Sequence, residues 1–488
     1  MSSMKKNIVM QTAYQILNVC IPLITAPYLS RVLGVTNLGI FSYTGSIVSY
    51  FTMIAILGTI NYGTRSIASV KNEQDSVSRV FVEIYSLQFI VSCLTLCAYL
   101  IYVRAFCTRY KLIALVQAIE ILSCAANISW LFFGLEKFKI TISCSIVVRL
   151  LMFGSIFVFV RTPNDLWKYT AIMLGGNLVN QLCFWVYVPR YVRWTRVKLH
   201  NIIAHFGPNL KLFLPLCAMS VYHMMDKTML GAISTAEESG YYYNADKIVN
   251  IPVQIISGIG TVMLPRITSM IAEKKTKEAN ELFKVSLDGT LAVSVAMAIG
   301  IAAVAEEFVP IFFGPGYEPC ILLCIIMAPI LIIKGFSITA REQYLVPYKM
   351  EKYYTGSVVL GAVTNLVANF SLIPWLGAIG AAIGTLLAEL AACIMLYFPV
   401  VRQVEMRDVF RHAAMYGLFA LIMAFQVRVV ANTVPLNPVV LVFLEIVTGG
   451  LVYCLLCLLL WKKTDSTFYH TVLDIIRTRM GRLNHKKR

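Results

Sequence analysis

Long apolar stretches separated by short polar runs fill the sequence from end to end. Crossing about 30 Å of hydrocarbon takes roughly 20 residues of helix. Cutting the chain wherever charges and turn formers interrupt a stretch of that length predicts about fourteen spans. They cover approximately 8–33, 36–60, 80–103, 112–135, 140–160, 169–189 and 212–234 in the first half. The second half adds 248–271, 287–313, 321–346, 355–373, 378–401, 413–430 and 439–461. The pattern predicts an all-α polytopic membrane protein.

Composition agrees. Of 488 residues 58% are hydrophobic and 14% charged, against about 45–50% and about 25% in soluble domains. With a mean hydropathy of +0.73, a water-soluble fold is excluded. The net charge of +17 would suggest a nucleic-acid partner in a soluble protein. Here the basic residues fall in short runs between apolar stretches, which is a topology signal, and no nucleic acid is expected.

A cytoplasmic N-terminus puts Lys5, Lys6, the 190–211 segment, the Lys274 to Lys284 loop and the 462–488 tail on one side. That gives about 29 Lys and Arg inside against about 6 outside, a strong positive-inside bias. Both termini are then cytoplasmic. The stretch 235–247 is the longest expected outside loop, too short for an extracytoplasmic domain. The start lacks a small-residue cleavage site and reads as a retained first helix.

The thirteen cysteines lie mostly in apolar stretches and read as packing residues. Cys454 and Cys457 form C-x-x-C inside an apolar helix, without the βαβ context of redox chemistry. No G-x-x-x-x-G-K-[ST] loop occurs, so ATP is not expected to drive the chain. No cofactor and no metal are expected.

The best boundary is 190–211, where Arg190, Arg193, Arg196 and Lys198 alternate with Tyr191, Val192, Trp194, Val197 and Leu199. This is either an amphipathic interfacial linker or an ordinary positive-inside loop. It separates a six-helix lobe (1–189) from a second (212–401), followed by two extra helices (402–461) and the basic tail. A repeat supports the cut: Gly39 precedes Arg65 by 26 positions, and Gly240 precedes Arg266 by the same 26. Six spans separate the copies, so the repeat is parallel and its pseudo-two-fold runs along the membrane normal.

At these residues the sequence resembles the bacterial polysaccharide (O-antigen) flippases of the multidrug, oligosaccharidyl-lipid and polysaccharide exporter superfamily. The strings are Pro27 to Gly34, Gly39 to Tyr43, Gly63-Thr64-Arg65, Trp130 to Glu136, Asn244 to Lys247, Leu264-Pro265-Arg266, Phe313 to Tyr317 and Asn365 to Glu389. The resemblance runs to about residue 400 and is weaker over the last two spans. It implies turnover of an undecaprenyl-diphosphate-linked oligosaccharide from the cytoplasmic to the outer leaflet of a bacterial plasma membrane. Two lobes would alternate in access around a cationic cavity.

Such a substrate carries a diphosphate, which calls for fixed cations. Ionisable residues inside spans are expensive and usually face a cavity or a partner, and arginine makes paired bonds to phosphate. By span position Arg149 and Lys334 fall near mid-bilayer, Arg31 and Lys227 in the outer third, and Arg65 and Arg266 at the inner mouth. Snorkelling, or pairing with Glu120 for Arg149 and with Asp226 for Lys227, is the structural alternative. Gln11, Gln15 and Asn18 recur at i, i+4 and i+7 on the first span, and Asn365 and Asn369 repeat the spacing on the eleventh. Each set lines a cavity or a polar helix contact. Asp226, Glu120 and Glu389 are candidates to bind a coupling proton or Na⁺. The expected partners are lipid-linked oligosaccharide, membrane lipid, and the polymerase and glycosyltransferases of polysaccharide assembly. Competing readings are a lipid II flippase, a multidrug or cation antiporter and, with loops this short, a less fitting membrane glycosyltransferase or polymerase.

Overall fold

The structure, a computed structural model, describes residues 2–464. The side chains of residues 2–16, 19, 212, 214–216, 218–223, 261 and 262 lie outside that description, and with them the expected polar positions Gln11 and Gln15. Most of the expected basic tail lies outside it too.

The described residues are helical, with no strand. The helices are α1 (Ser2–Ile56), α2 (Thr59–Val70), α3 (Gln74–Phe106), α4 (Lys111–Ala126), α5 (Ser129–Gly134), α6 (Phe138–Phe159), α7 (Leu166–Trp185) and α8 (Leu199–Ala204). They continue as α9 (Phe206–Ile233), α10 (Ala236–Ala272), α11 (Thr276–Phe313), α12 (Pro319–Met327), α13 (Pro329–Ala340), α14 (Glu351–Val400), α15 (Arg407–Thr433) and α16 (Pro438–Lys463). Among the described residues eleven stretches are long and apolar enough to cross a membrane. Of the three stretches by which the count falls below the expected fourteen, the one expected at 212–234 lies in α9, where many side chains are outside the description, and two are lost to joins. Two stretches run 51 and 50 residues, each covering two expected spans that a single glycine joins without an intervening loop. At Gly34 the backbone takes φ +77° and ψ 169°, and at Gly377 φ +54° and ψ −127°. Only glycine adopts such angles cheaply. From Ala236 on, the expected outside loop at 235–247 is likewise helix, the first turns of α10, and Ser239 within it is wholly buried.

Contacts divide the chain into two compact units. The first comprises Met1–Tyr243, Phe313–Pro315 and Asn369–Ala381; the second comprises Asn244–Phe312, Gly316–Ala368 and Ala382–Arg488. Each turns large apolar side chains outward, such as Leu94, Leu151 and Val186 in the first and Phe425, Phe443 and Leu459 in the second. That is the surface hydrocarbon accepts.

In the first unit Gln88 of α3 closes the break between α4 and α5. Its Nε2 donates to the carbonyls of Cys124 and Asn127, both at 2.7 Å, and its Oε1 accepts from Trp130 Nε1 at 3.1 Å. Trp130 is fully buried beside Phe81, Leu131 and Phe132. The 190–198 segment is fastened to the same end: Val192 is buried, Arg193 N–H donates to Ser78 Oγ at 3.0 Å, and Trp194 stacks on Trp185.

The repeat has a structural counterpart. A Cβ on Gly39 would run into the carbonyl of Ala236, and one on Gly240 would run into the carbonyl of Val35. Val35 precedes Gly39 by four positions, as Ala236 precedes Gly240. The contact is therefore reciprocal, and both helices need small residues there.

In the second unit α15 and α16 pack together and bind α11 through a polar chain. Asp288 accepts from Tyr416 OH at 2.9 Å and lies 3.1 Å from His412 Nδ1, while Trp461 Nε1 donates to Tyr416 OH at 2.9 Å. Tyr453 OH reaches the carbonyl of Ala292 at 2.7 Å.

Gly34 has open space where a Cβ would stand, so Gly34→Ala is expected to cost only its backbone strain, about 1–3 kcal/mol. Gly154, helical and equally open, is the control: Gly154→Ala should be neutral or stabilise by up to about 1 kcal/mol. Thermal unfolding of the purified variants distinguishes them, and equal midpoints would refute the assigned role of Gly34.

Candidate substrate site

The first unit encloses a cavity of about 370 Å³. Helix α1 contributes Ser42, Ser46, Ser49 and Thr52, α4 contributes Gln117 and Glu120, α7 contributes Asn177, and α9 contributes Lys227. These hydroxyls sit mid-helix, where Ser49 and Thr44 return their protons to carbonyls one turn back at 2.7 Å. That bonding lets polar side chains stand in a span without a further partner. Gln117 and Glu120 are three residues apart and share a face of α4. Gln117 Nε2 donates to Thr44 Oγ1 at 3.1 Å, and Asn177 Nδ2 donates to Glu120 Oε2 at 3.1 Å. Thr228 Oγ1 donates to Ser46 Oγ at 2.9 Å, tying α9 to α1.

Lys227 is the cation of this lining, and its Nζ stands 5.7 Å from the centroid of the Tyr243 ring. Asp226, one residue earlier and so about 100° around the helix, turns elsewhere. It is buried and accepts from Tyr242 OH at 2.8 Å and Asn369 Nδ2 at 2.7 Å. Asn369 thus meets an expected ion-coupling residue.

The other expected cations stand outside this lining. Arg31, exposed on α1, packs its side chain against Gly314, while neighbouring Ser30 donates to the carbonyl of Phe313 at 2.8 Å. Two resembling strings, Pro27 to Gly34 and Phe313 to Pro315, therefore touch. Arg149 is half-buried on α6, and Arg65 is exposed on α2. Asn18 is half-buried on α1. In the second unit Lys334 and Glu389 form an ion pair, Nζ to Oε1 at 2.5 Å, with the carboxylate buried. Arg266 is exposed there and Asn365 fully buried.

Some groups escape sequence reading. Gln117 and Asn177 are isolated amides in apolar helices, and only their packing shows that they face one space. Glu83 stands inside the expected span 80–103, so the sequence alone marks it as an acid within a span. Its partners are not so marked: Asn201 Nδ2 donates to it at 3.0 Å and His205 Nε2 lies 3.1 Å away, with Tyr62 OH 2.7 Å from the other His205 ring nitrogen.

A bundle of membrane-crossing helices, with charges and amides turned inward onto a polar cavity, defines a multi-pass membrane transporter. The model of the polysaccharide biosynthesis protein family matches residues 4–271, and the chain belongs to that family. It is 26% identical over 402 residues to a protein of Escherichia coli (strain K12) that goes under the name of an O-antigen transporter, covering 81% of this chain and 96% of that one. It is 20% identical over 251 residues to a protein of Haloferax volcanii that goes under the name of a low-salt glycan biosynthesis flippase, covering 51% and 53%. The fold matches a solved structure of the lipid II flippase MurJ in an inward closed conformation. The TM-score is 0.67 at 18% identity, covering 91% of this chain and all of the other.

Breaking the Lys334–Glu389 pair strands a desolvated charge. Lys334→Met or Glu389→Leu alone is expected to cost about 3–5 kcal/mol, and the double substitution less than either. Thermal unfolding of the three variants tests this; additive losses would show that the two side chains act independently.

Proposed function

We propose that the protein moves lipid-linked oligosaccharide repeat units, carried on a diphosphate, from the cytoplasmic to the outer leaflet of the bacterial plasma membrane. The observation that carries this reading is the polar cavity with Lys227 on its wall. Hydroxyl and amide groups there suit a glycan, and the cation suits a phosphate. Family membership and the relative that goes under the name of an O-antigen transporter support the same class of cargo.

In this reading Arg31, Arg149 and Lys227 serve the diphosphate along its path, with Lys334, Arg65 and Arg266 as further cations. Gln11, Gln15, Asn18, Asn365 and Asn369 serve as polar lining. Two lobes, 1–189 and 212–401, alternate in access, and an ion gradient drives the cycle through carboxylates such as Asp226, Glu120 or Glu389. Glycosyltransferases supply the substrate and a polymerase consumes it. Both termini are cytoplasmic.

Two experiments follow. Thr235 and Lys277 are both exposed. With an impermeant thiol reagent on a background lacking native cysteines, Thr235→Cys should label from outside and Lys277→Cys only after permeabilisation; the reverse pattern overturns the orientation. In proteoliposomes carrying fluorescent lipid-linked oligosaccharide, Lys227→Ala or Arg149→Ala should slow flipping about ten- to a hundredfold, the weight of one charge-assisted hydrogen bond. Arg149→Lys should recover part of the rate, because charge survives without the bidentate fork. Wild-type rates in both alanine variants would remove these cations from the substrate path.

A further inference from the structure

The second unit holds a cavity that the proposed substrate contacts leave unused. Its volume is about 370 Å³, and it lies among α10, α11, α12, α15 and α16. Its wall is apolar, with Met297, Val304, Phe308, Met423 and Ile446 among its side chains. One carboxyl interrupts that wall. Glu445 of α16 is wholly buried, and neither of its oxygens has a hydrogen-bond partner among the described residues.

The contrast with the other intramembrane acids is sharp. Glu83, Glu120, Asp226, Asp288, Glu307 and Glu389 are each met by a donor or a cation. An ionised carboxylate at Glu445 would have nothing to replace its lost hydration, whereas the protonated acid is close to an apolar group and fits the wall.

One cation stands near. Arg428 of α15 donates through Nη1 to both oxygens of Glu307, at 2.8 and 2.9 Å, and also pairs with Glu306. Arg428 follows Val427, which packs against Gly449 of α16, one turn beyond Glu445. The facing groups are few on every side. Helix α11 brings Glu306 and Glu307, α15 brings Arg428, α16 itself brings Tyr453 and Cys454, and α12 brings Cys324. From α10 come only Ile248 and Pro252.

We propose that Glu445 is a proton-binding site of the transport cycle. Protonated, it completes the apolar wall; on release the proton passes to bulk water, and the carboxylate left behind draws Arg428 away from Glu306 and Glu307. Proton exchange is thereby felt as a shift of the α15–α16 pair against α11. The link to transport rests on the flippase reading, whereas proton binding is a property of the protein alone.

Dicyclohexylcarbodiimide, an apolar reagent, modifies protonated carboxyls in apolar surroundings, so it reads the site without substrate. The full-length protein in phosphatidylethanolamine–phosphatidylglycerol vesicles is treated across a pH series, and its peptides are weighed. Glu445 should be labelled about tenfold more than Glu389 or Glu307 at neutral pH, and labelling should fall as pH rises. Arg428→Gln removes the cation that would receive the carboxylate, so labelling should persist to higher pH. Glu445→Gln should lose the adduct and Glu445→Asp keep it. In proteoliposomes an imposed proton gradient should change wild-type flipping and leave the Glu445→Gln rate unchanged. Absence of an adduct at Glu445 while other carboxyls react, or labelling indifferent to pH, overturns the proton site. A Glu445→Gln rate that still follows the gradient overturns the coupling. A wild type that flips nothing overturns the functional reading and leaves the labelling result to stand by itself.

Discussion

Hydrocarbon offers no hydrogen bonds, and this constraint governs the structure. Every backbone group in a span must be met from within, which is why long helices carry nearly all of the described chain. It also explains where side-chain amides go. Between α4 and α5 the regular helix stops at Asn127 and Ile128, where the Cys124 carbonyl keeps a turn bond from the Asn127 N–H at 3.2 Å. Gln88 on α3 turns two donors onto the carbonyls of Cys124 and Asn127, and its own oxygen is met by Trp130. That one amide serves three groups at the break. Asp288, Tyr416, His412 and Trp461 form a similar closed set at the attachment of the last two helices.

The same constraint makes glycine the preferred means of changing direction. A loop inside the bilayer would expose several peptide groups, whereas a single residue with positive φ bends the chain and keeps its neighbours helical. Gly34 and Gly377 are such points. At the second, Glu238 stands ready with its carboxylate: Oε2 accepts the Ala378 N–H at 2.7 Å, at the start of the segment beyond the bend. An anion there also meets the positive end of that segment. Gly39 and Gly240 act differently, through size. They let α1 and α10 approach until backbone meets backbone, at equivalent points of the repeat.

The reach of the sequence follows from these physics. Apolar length reveals a helix that crosses, since hydropathy is summed over about twenty residues and tolerates local error. It does not reveal a join, because the polar residues Thr36 and Asn37 after Gly34 read the same in a loop as in a continuing helix, and Gly377 has only apolar neighbours. Hence two expected pairs of spans appear as two unbroken stretches, and an expected loop at 235–247 is helix from Ala236 on. Charges within spans were visible as candidates, but the partner of each was not, since partners lie on other helices. Lys334 and Glu389 are 55 positions apart, and no spacing rule links them. Gln117 and Asn177 were silent for the same reason, and Glu445 differs from its fellow acids only in what is missing around it.

Those pairings narrow which cations can serve a diphosphate. Lys334 already spends its charge on Glu389 and Arg428 on Glu307 and Glu306, and an incoming anion would have to displace a carboxylate at close range. Lys227 lines the cavity itself. Its ammonium lies over the face of Tyr243, on a wall that also carries Ser, Thr, amide groups and the carboxyl of Glu120. A fixed ion pair fastens helices together, whereas a cation on a cavity wall stands where a ligand can reach it. Lys227 is therefore the expected cation whose position, on the wall of the polar cavity, suits the proposed diphosphate.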